Sequence, residues 1–220
     1  MKILALEFSS PQRSVAILNG NANGPLSLIE VVETGGPAIK AFGMVEEALG
    51  QAQLEREQID CLAIGIGPGS YSGIRSAIAL AQGWQLARPI KILALSSVET
   101  LVAQAHADAV SGPVHIVIDA QRNEFYLAGY HLSSAGWREI KPLRLASLQE
   151  VQACEQSGEL LLGPEVTKWF PAGRILFPRA ATLARLARKR TDFISANKIE
   201  PFYLRETTFV KAPPPRVLPQ

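Results

Sequence analysis

The stretch 65–75, which reads GIGPGSYSGIR, constrains the fold of this chain more than any other segment. It begins inside an apolar run at 61–66 that has the composition of a buried strand. Three further glycines and a proline favour a sharp turn, because glycine adopts backbone angles that other residues avoid. Ser70 or Ser72 can cap the helix that follows, which is predicted at 72–87. The segment is therefore predicted to form a strand–turn–helix unit of an α/β fold.

The helix predicted at 72–87 is poor in charge for a surface helix. Arg75 carries its only formal charge, and apolar residues cover most of its circumference. A helix with this pattern is buried on more than one side. Two interpretations stay open: it is a central core helix, or another subunit covers its second side.

The glycine-rich turn does not match the common phosphate-binding or nucleophile motifs. A P-loop requires a lysine directly after its last glycine, and Ile74 follows Gly73 here. The dinucleotide motif fails because Ser70 stands where a glycine is needed, and the nucleophile-elbow pattern does not fit either. Amides at a helix start can still bind an anion, although a structural turn is the favoured interpretation. The candidate nucleotide or anion loop comprises Ser9, Ser10, Gly67, Gly69, Ser70 and Gly73.

Four segments spread along the chain share the motifs of one family. They lie at 3–10 with 14–17, at 67–75, at 118–126 and at 200–205, and read ILALEFSS with SVAI, GPGSYSGIR, IDAQRNEFY and EPFYLR. In order and spacing they resemble the TsaB (YeaZ) family of bacterial tRNA threonylcarbamoyladenosine biosynthesis proteins. The resemblance covers nearly the whole chain.

The resemblance implies an α/β protein with the actin-like or Hsp70-type ATPase (ASKHA) fold. Such a protein has two small lobes, each with a mixed sheet flanked by helices. Here the N-terminal lobe is expected at 1–110 and the C-terminal lobe at 111–205, with a Pro-rich tail at 206–220. The best boundary marker is the pair Gly112–Pro113.

Two positions depart from the family pattern. Glu7 stands where the family usually has Asp, which favours a structural role for this carboxylate over a role in placing a metal. The family commonly has a histidine near the start of the helix predicted at 38–51, where this chain has Pro37, Ala38 and Ile39.

The histidines of this chain do not form the metal site of the catalytic paralogues. Those proteins bind a metal through two histidines four residues apart, whereas His106, His115 and His131 are widely separated. We therefore expect no catalytic residue, no metal ligand and no cofactor.

The resemblance implies a non-catalytic scaffold that binds and stabilises a TsaD-like catalytic paralogue. A TsaE-like ATPase is the further expected partner, tRNA is contacted only through the complex, and the chain alone forms a homodimer. The interface is predicted on the helices at 38–51 and 72–87. Its candidate residues are Phe42, Val45, Leu49, Ile74, Ile78 and Trp84.

Two other functions stay open, an actin-like-fold ATPase or kinase and a direct tRNA-binding module. The formal net charge of +2 argues against the second, because nucleic-acid binders usually carry a strong basic patch. No apolar segment approaches the roughly 20 residues that a membrane-spanning helix needs, and no signal peptide is recognised. The expected location is the cytoplasm.

Periodicity and turn residues predict the remaining elements. Capping boxes at Ser96–Glu99 and Ser147–Glu150 each begin a helix. Strands are predicted at 2–8, 14–18, 26–33, 91–95, 114–120, 124–132 and 160–163, and further helices at 165–170 and 180–190.

Overall fold

The computed structural model describes residues 1–20, 26–35, 40–202 and 204. Within these residues, two five-stranded mixed sheets are each flanked by helices on both faces. The predicted α/β class and the mixed sheets are confirmed. The Pro-rich tail and residues 36–39, which include the predicted helix start, lie outside the described residues.

The first sheet contains three antiparallel strands followed by two parallel ones. Its strands are β1 (Lys2–Glu7), β2 (Gln12–Asn19), β3 (Ser27–Thr34), β4 (Cys61–Gly65) and β5 (Lys91–Leu95), in the order β3-β2-β1-β4-β5. β4 pairs in parallel with both β1 and β5. Parallel neighbours need a crossover connection, and α2 (Tyr71–Ala87) supplies the one between β4 and β5.

Helices cover both faces of the first sheet. α1 (Ala41–Ala52) and α2 pack on one face, against Leu4 and Leu6 of β1. α5 (Ala180–Ala187) packs on the other face, against Ile3 and Ala5. Because successive strand residues point to opposite faces, a strand buried on both sides is apolar throughout. This accounts for the continuous apolar runs of β1 and β4.

The second sheet has the order β10-β9-β6-β7-β8. α3 (Ser97–Ala107) packs on one face, and α4 (Leu148–Gln156) packs on the other. The strands are β6 (Gly112–Asp119), β7 (Glu124–Ser133), β8 (Gly136–Ser147), β9 (Leu160–Gly163) and β10 (Arg174–Ile175).

The chain returns to the first sheet after completing the second. α5 follows β10 in sequence but contacts β1 and β2. Ala196 and Ile199 lie in the same core as α1 and α2. The division of the chain at residue 110 stays a prediction, and the packing joins residues 180–199 to the sheet formed by residues 2–95.

One predicted helix was wrong, and two strands, β8 and the two-residue β10, were not predicted. The helix expected at 165–170 is a single 3₁₀ turn, Val166–Lys168, because Pro164 and Pro171 flank a segment too short for an α-helix. The exposed edge strand β8 carries charged residues and Pro142, so alternation of apolar residues is weak there.

The two predicted capping boxes differ in outcome. At the start of α4, Ser147 and Glu150 form both bonds of the box, as predicted. At the start of α3, Ser96 caps by accepting from the amide of Val98. Glu99 instead forms an ion pair with Arg190 at 3.0 Å, which links α3 to the segment after α5.

Candidate functional site

The glycine-rich turn packs directly on the turn that follows β1. The Ser70 amide donates to the Ser9 carbonyl at 2.7 Å, and the Ser97 amide donates to the Gly67 carbonyl at 2.9 Å. The Ser70 hydroxyl caps α2 by accepting from the Gly73 amide at 3.3 Å, as the sequence predicts. The amides of Ser70 and Gly73 are therefore bonded within the chain.

Two glycines allow this close packing. A Cβ atom on Gly69 would lie 2.1 Å from the Ser9 carbonyl oxygen, and one on Gly73 would lie 1.9 Å from the Phe8 carbonyl oxygen. Real Cβ contacts do not reach such distances, so both positions require glycine. The glycines of this turn thus serve the contact between two turns of the first sheet.

Glu7 lies beneath the same turn with its carboxyl group fully buried. It accepts from the Ser9 amide at 2.9 Å and from the Ser97 hydroxyl at 3.2 Å. Burial raises the pKa of Glu7, while the bonds from Ser9 and Ser97 oppose that shift. Ser10 is buried as well and donates to the Gln12 carbonyl. Ser9, Ser10, Ser70 and Gly73 of the candidate nucleotide loop thus bond within the chain, and nucleotide or anion binding by this loop stays a prediction.

Most of the predicted interface residues face the protein's own core. Val45, Leu49, Ile74 and Ile78 are buried between the helices and the first sheet, and Trp84 is partly buried against that core. Their helical spacing identifies the apolar side of each helix, and the sheet covers this side. Phe42, the remaining candidate, is 72% exposed.

The opposite side of α1 and α2 combines large apolar residues with glycines. Exposure is 72% for Phe42, 59% for Tyr71 and 89% for Leu86. Arg75 lies over the Tyr71 ring, 4.4 Å from its centroid. Both helices cover the same face of the sheet, and we call their exposed sides together the outer helical surface. Its members include Phe42, Gly43, Gly50, Tyr71, Ala79, Gly83 and Leu86, with the exposed polar residues Glu46, Glu47 and Gln82 among them.

The exposed glycines of the outer helical surface make no close packing contact with the described residues. Among these residues, a Cβ added to Gly43, Gly50 or Gly83 would meet no atom within 4 Å. Glycine inside a helix costs about 0.8–1 kcal/mol relative to alanine. The signal that sequence reasoning could have used is this pattern of glycines in the middle of helices, rather than the apolar periodicity.

Comparison with known protein families agrees with the family that the motifs indicate. Residues 39–200 match the family model described as TsaD: tRNA N6-adenosine threonylcarbamoyltransferase. The chain belongs to this family. The match spans more than half of the chain and includes α1, the glycine-rich turn and α5.

Individual relatives are similar in sequence to this chain along nearly its whole length. The tRNA threonylcarbamoyladenosine biosynthesis protein TsaB of Haemophilus influenzae is 27% identical over 97% of this chain and 98% of its own. TsaB of Escherichia coli is 27% identical over 97% of this chain and 99% of its own. The structure of YeaZ from Pseudomonas aeruginosa matches with a TM-score of 0.75 and 26% identity, over 92% of this chain and 99% of that one.

These matches confirm the resemblance to the TsaB (YeaZ) family and, with it, the predicted actin-like fold. Among the described residues, no helix is both long and apolar enough to cross a membrane.

Proposed function

We propose that this chain acts in tRNA threonylcarbamoyladenosine biosynthesis in the cytoplasm, as a non-catalytic scaffold that binds and stabilises a TsaD-like paralogue. The full-length similarity to TsaB proteins supports the pathway. The observation that carries the scaffold role is the outer helical surface, where three glycines and three large apolar side chains are exposed.

The outer helical surface has the features of a helix-packing interface. Exposed glycines let the backbone of a second helix approach closely, and the apolar side chains beside them gain from being covered. A partner with the same fold presents equivalent helices. The chain alone is therefore proposed to form a symmetric homodimer through this surface, and the TsaD-like paralogue to replace one copy.

The buried polar cluster supports the non-catalytic part of the proposal. The amides of Ser70 and Gly73 and the carboxyl group of Glu7 are engaged within the chain. An ATPase or kinase would need such groups turned toward a nucleotide. A TsaE-like ATPase and tRNA are proposed to join only after the TsaD-like paralogue has bound.

The variant Gly83→Gln tests the scaffold role. Light scattering should find a wild-type homodimer that becomes a heterodimer when the TsaD-like paralogue of the same organism is added. Gly83→Gln should remain monomeric in both cases, because its side chain occupies the space for the second helix. Its free energy of unfolding, measured on the monomer, should equal or exceed that of the wild-type subunit, because the helix loses a glycine.

Ala153→Gln is the matched control, since it lengthens an exposed helical side chain on α4. It should pair like the wild type. Pairing by Gly83→Gln with wild-type affinity would contradict the proposed interface. Saturable ATP binding by the isolated chain, lost on Ser9→Ala, would instead favour the ATPase or kinase.

A further inference from the structure

Three side chains with metal-binding atoms converge on the α4 face of the second sheet. They are His115 of β6, Cys154 of α4 and Glu159, which precedes β9. A ring nitrogen of His115, the Cys154 Sγ and a carboxylate oxygen of Glu159 lie within 4.8 Å of one another. The residues come from separate elements, so the chain's linear motifs gave no sign of this cluster.

His115 supplies a buried imidazole whose polar contact is with Glu159. Its side chain is only 1% exposed, and its Nε2 lies 2.7 Å from the Glu159 Oε2. This contact pairs the ring with Glu159, although the angle at Nε2 falls outside strict hydrogen-bond geometry, and Nδ1 has no hydrogen-bond partner among the described residues. Burial lowers the pKa of His115, and the Glu159 carboxylate opposes that shift.

The backbone after α4 places the other two donors together. The Glu159 amide donates to the Cys154 carbonyl at 3.1 Å. Gly158 adopts a positive φ of 78°, which reverses the chain at the helix end and allows this bond. Cys154 and Glu159 are partly exposed, so an ion and a water molecule can reach them from solvent.

The arrangement of the three side chains, with Glu159 contacting both of the others, argues against Cys154 as a nucleophile. Glu159 contacts both other members, accepting from the Cys154 thiol and lying beside the His115 ring. A nucleophilic thiol needs the imidazole as its direct partner and a lowered pKa. Here burial and the Glu159 carboxylate raise the pKa of Cys154. A metal ion would replace the thiol proton and leave all three groups as ligands.

We propose that His115, Cys154 and Glu159 bind a zinc ion, with the fourth position of the tetrahedron left to water. Thiolate and imidazole select a borderline-soft transition metal over magnesium or calcium. Ligand atoms of a tetrahedral zinc site lie roughly 3.3–3.5 Å apart, as bond lengths of about 2.0 and 2.3 Å require. The three donor atoms lie within 4.8 Å of one another, and the His115 Nε2 and Glu159 Oε2, now 2.7 Å apart, would have to separate to bind one ion.

Lys141 is the cation that acts on all three side chains of the cluster, and Arg144 acts on Cys154 as well. Lys141 lies opposite Gly129 of β7, and Gly129 lies opposite His115 of β6, so all three share one face of the sheet. Because the positive charge of Lys141 opposes a bound cation, Lys141→Ala should bind zinc more tightly than the wild type does.

Cobalt titration of the tag-free, chelator-treated chain tests the site. A thiolate-to-cobalt charge-transfer band should saturate at one ion per chain and disappear when zinc is added. Cys154→Ser should abolish the band, whereas Cys61→Ser, which changes the chain's other cysteine in the buried β4, should retain it. His115→Gln and Glu159→Gln should each weaken metal binding by more than about tenfold. Loss of a residue that only supports a ligand already costs about that much affinity.

A second measurement uses the wild-type protein, so its result does not depend on whether the variants fold correctly. Zinc should block alkylation of Cys154 by iodoacetamide, as located by mass spectrometry. Absence of the thiolate band in the wild type, or alkylation of Cys154 at the same rate with and without zinc, would overturn the proposal. A band that survives Cys154→Ser or vanishes in Cys61→Ser would overturn it as well.

Discussion

At the scale of single residues, Glu7 combines complete burial with a carboxyl group that Ser9 and Ser97 hold in place. Gly65 leaves room for it, since a Cβ atom there would lie 2.1 Å from the Glu7 Oε2. The extra methylene relative to Asp therefore fits because its neighbour on β4 is glycine. The sequence predicted a structural role for Glu7 from the substitution alone, and Gly65 supplies the physical reason.

Glu7→Gln should change the dependence of stability on pH. Burial raises the pKa of Glu7 above its ordinary value of 4.5, so the folded state holds this proton more tightly than the unfolded state does. The stability contributed by the protonated group is present below pH 4.5 and is lost as the pH rises through the raised pKa. Relative to the wild type, Glu7→Gln should gain free energy of unfolding as the pH rises, measured by urea denaturation.

Glu150→Gln provides a control of opposite sign. Bonds from Ser147 and Arg144 lower the pKa of Glu150, so its contribution is present above pH 4.5 and falls as the pH falls through the lowered pKa. Relative to the wild type, this variant should lose free energy of unfolding as the pH rises. Parallel pH curves for wild type and Glu7→Gln would refute the raised pKa.

At the scale of elements, α2 shows what sequence periodicity can and cannot establish. Its bounds, Tyr71–Ala87, lie within one residue of the prediction, because Ser70 and Pro89 mark both ends. The side proposed to meet a partner could not be read from the same pattern. Apolar residues at helical spacing mark the side against the sheet, and the outer side depends on which residues remain exposed.

The remaining errors have a similar origin. β8 is the edge strand of its sheet and carries exposed charged residues. Its sequence therefore lacks the apolar alternation by which a strand is recognised. The cluster of His115, Cys154 and Glu159 depends on long-range packing, since the sheet brings β6 beside β9. Local signals alone predicted the strand–turn–helix unit, the hairpin and the capping box at Ser147.

Two alanine substitutions on α2 separate a packing glycine from an exposed one. Gly73→Ala places its Cβ atom against the backbone of Phe8, which should lower the free energy of unfolding by about 1–3 kcal/mol or more. Gly83→Ala meets open space and should raise it by about 0.8–1 kcal/mol. Urea denaturation in dilute solution, where the chain is monomeric, gives both values. Equal effects of the two changes would contradict the packing described for the turn.

At the scale of the whole molecule, α3 and α5 join the two sheets. α5 covers the second face of the first sheet, although it follows the second sheet in sequence. α3 packs on the second sheet and contacts α5, and Thr182 of α5 donates to Gln104 of α3. The two sheets are therefore expected to unfold together rather than as separate lobes.

Leu183→Ala tests this coupling because Leu183 is fully buried in the core that α5 shares with β1 and β4. Removal of a buried leucine side chain should cost about 2–5 kcal/mol. Trp84 reports on the first sheet, whereas Trp137 and Trp169 lie in the second half of the chain. Fluorescence of variants that keep either Trp84 alone or the other two should give the same lowered urea midpoint.

The matched control is Leu186→Ala, on the same helix but partly exposed, which should lower the midpoint less. If the two sheets unfold together, the urea midpoint reported by Trp84 and the one reported by Trp137 and Trp169 should fall by the same amount in Leu183→Ala. If only the Trp84 signal shifted, α5 would stabilise the first sheet alone, and α3 would not transmit the loss. The interface proposed on α1 and α2 would then belong to a lobe that unfolds independently, so partner binding would protect that lobe and leave the second sheet unchanged.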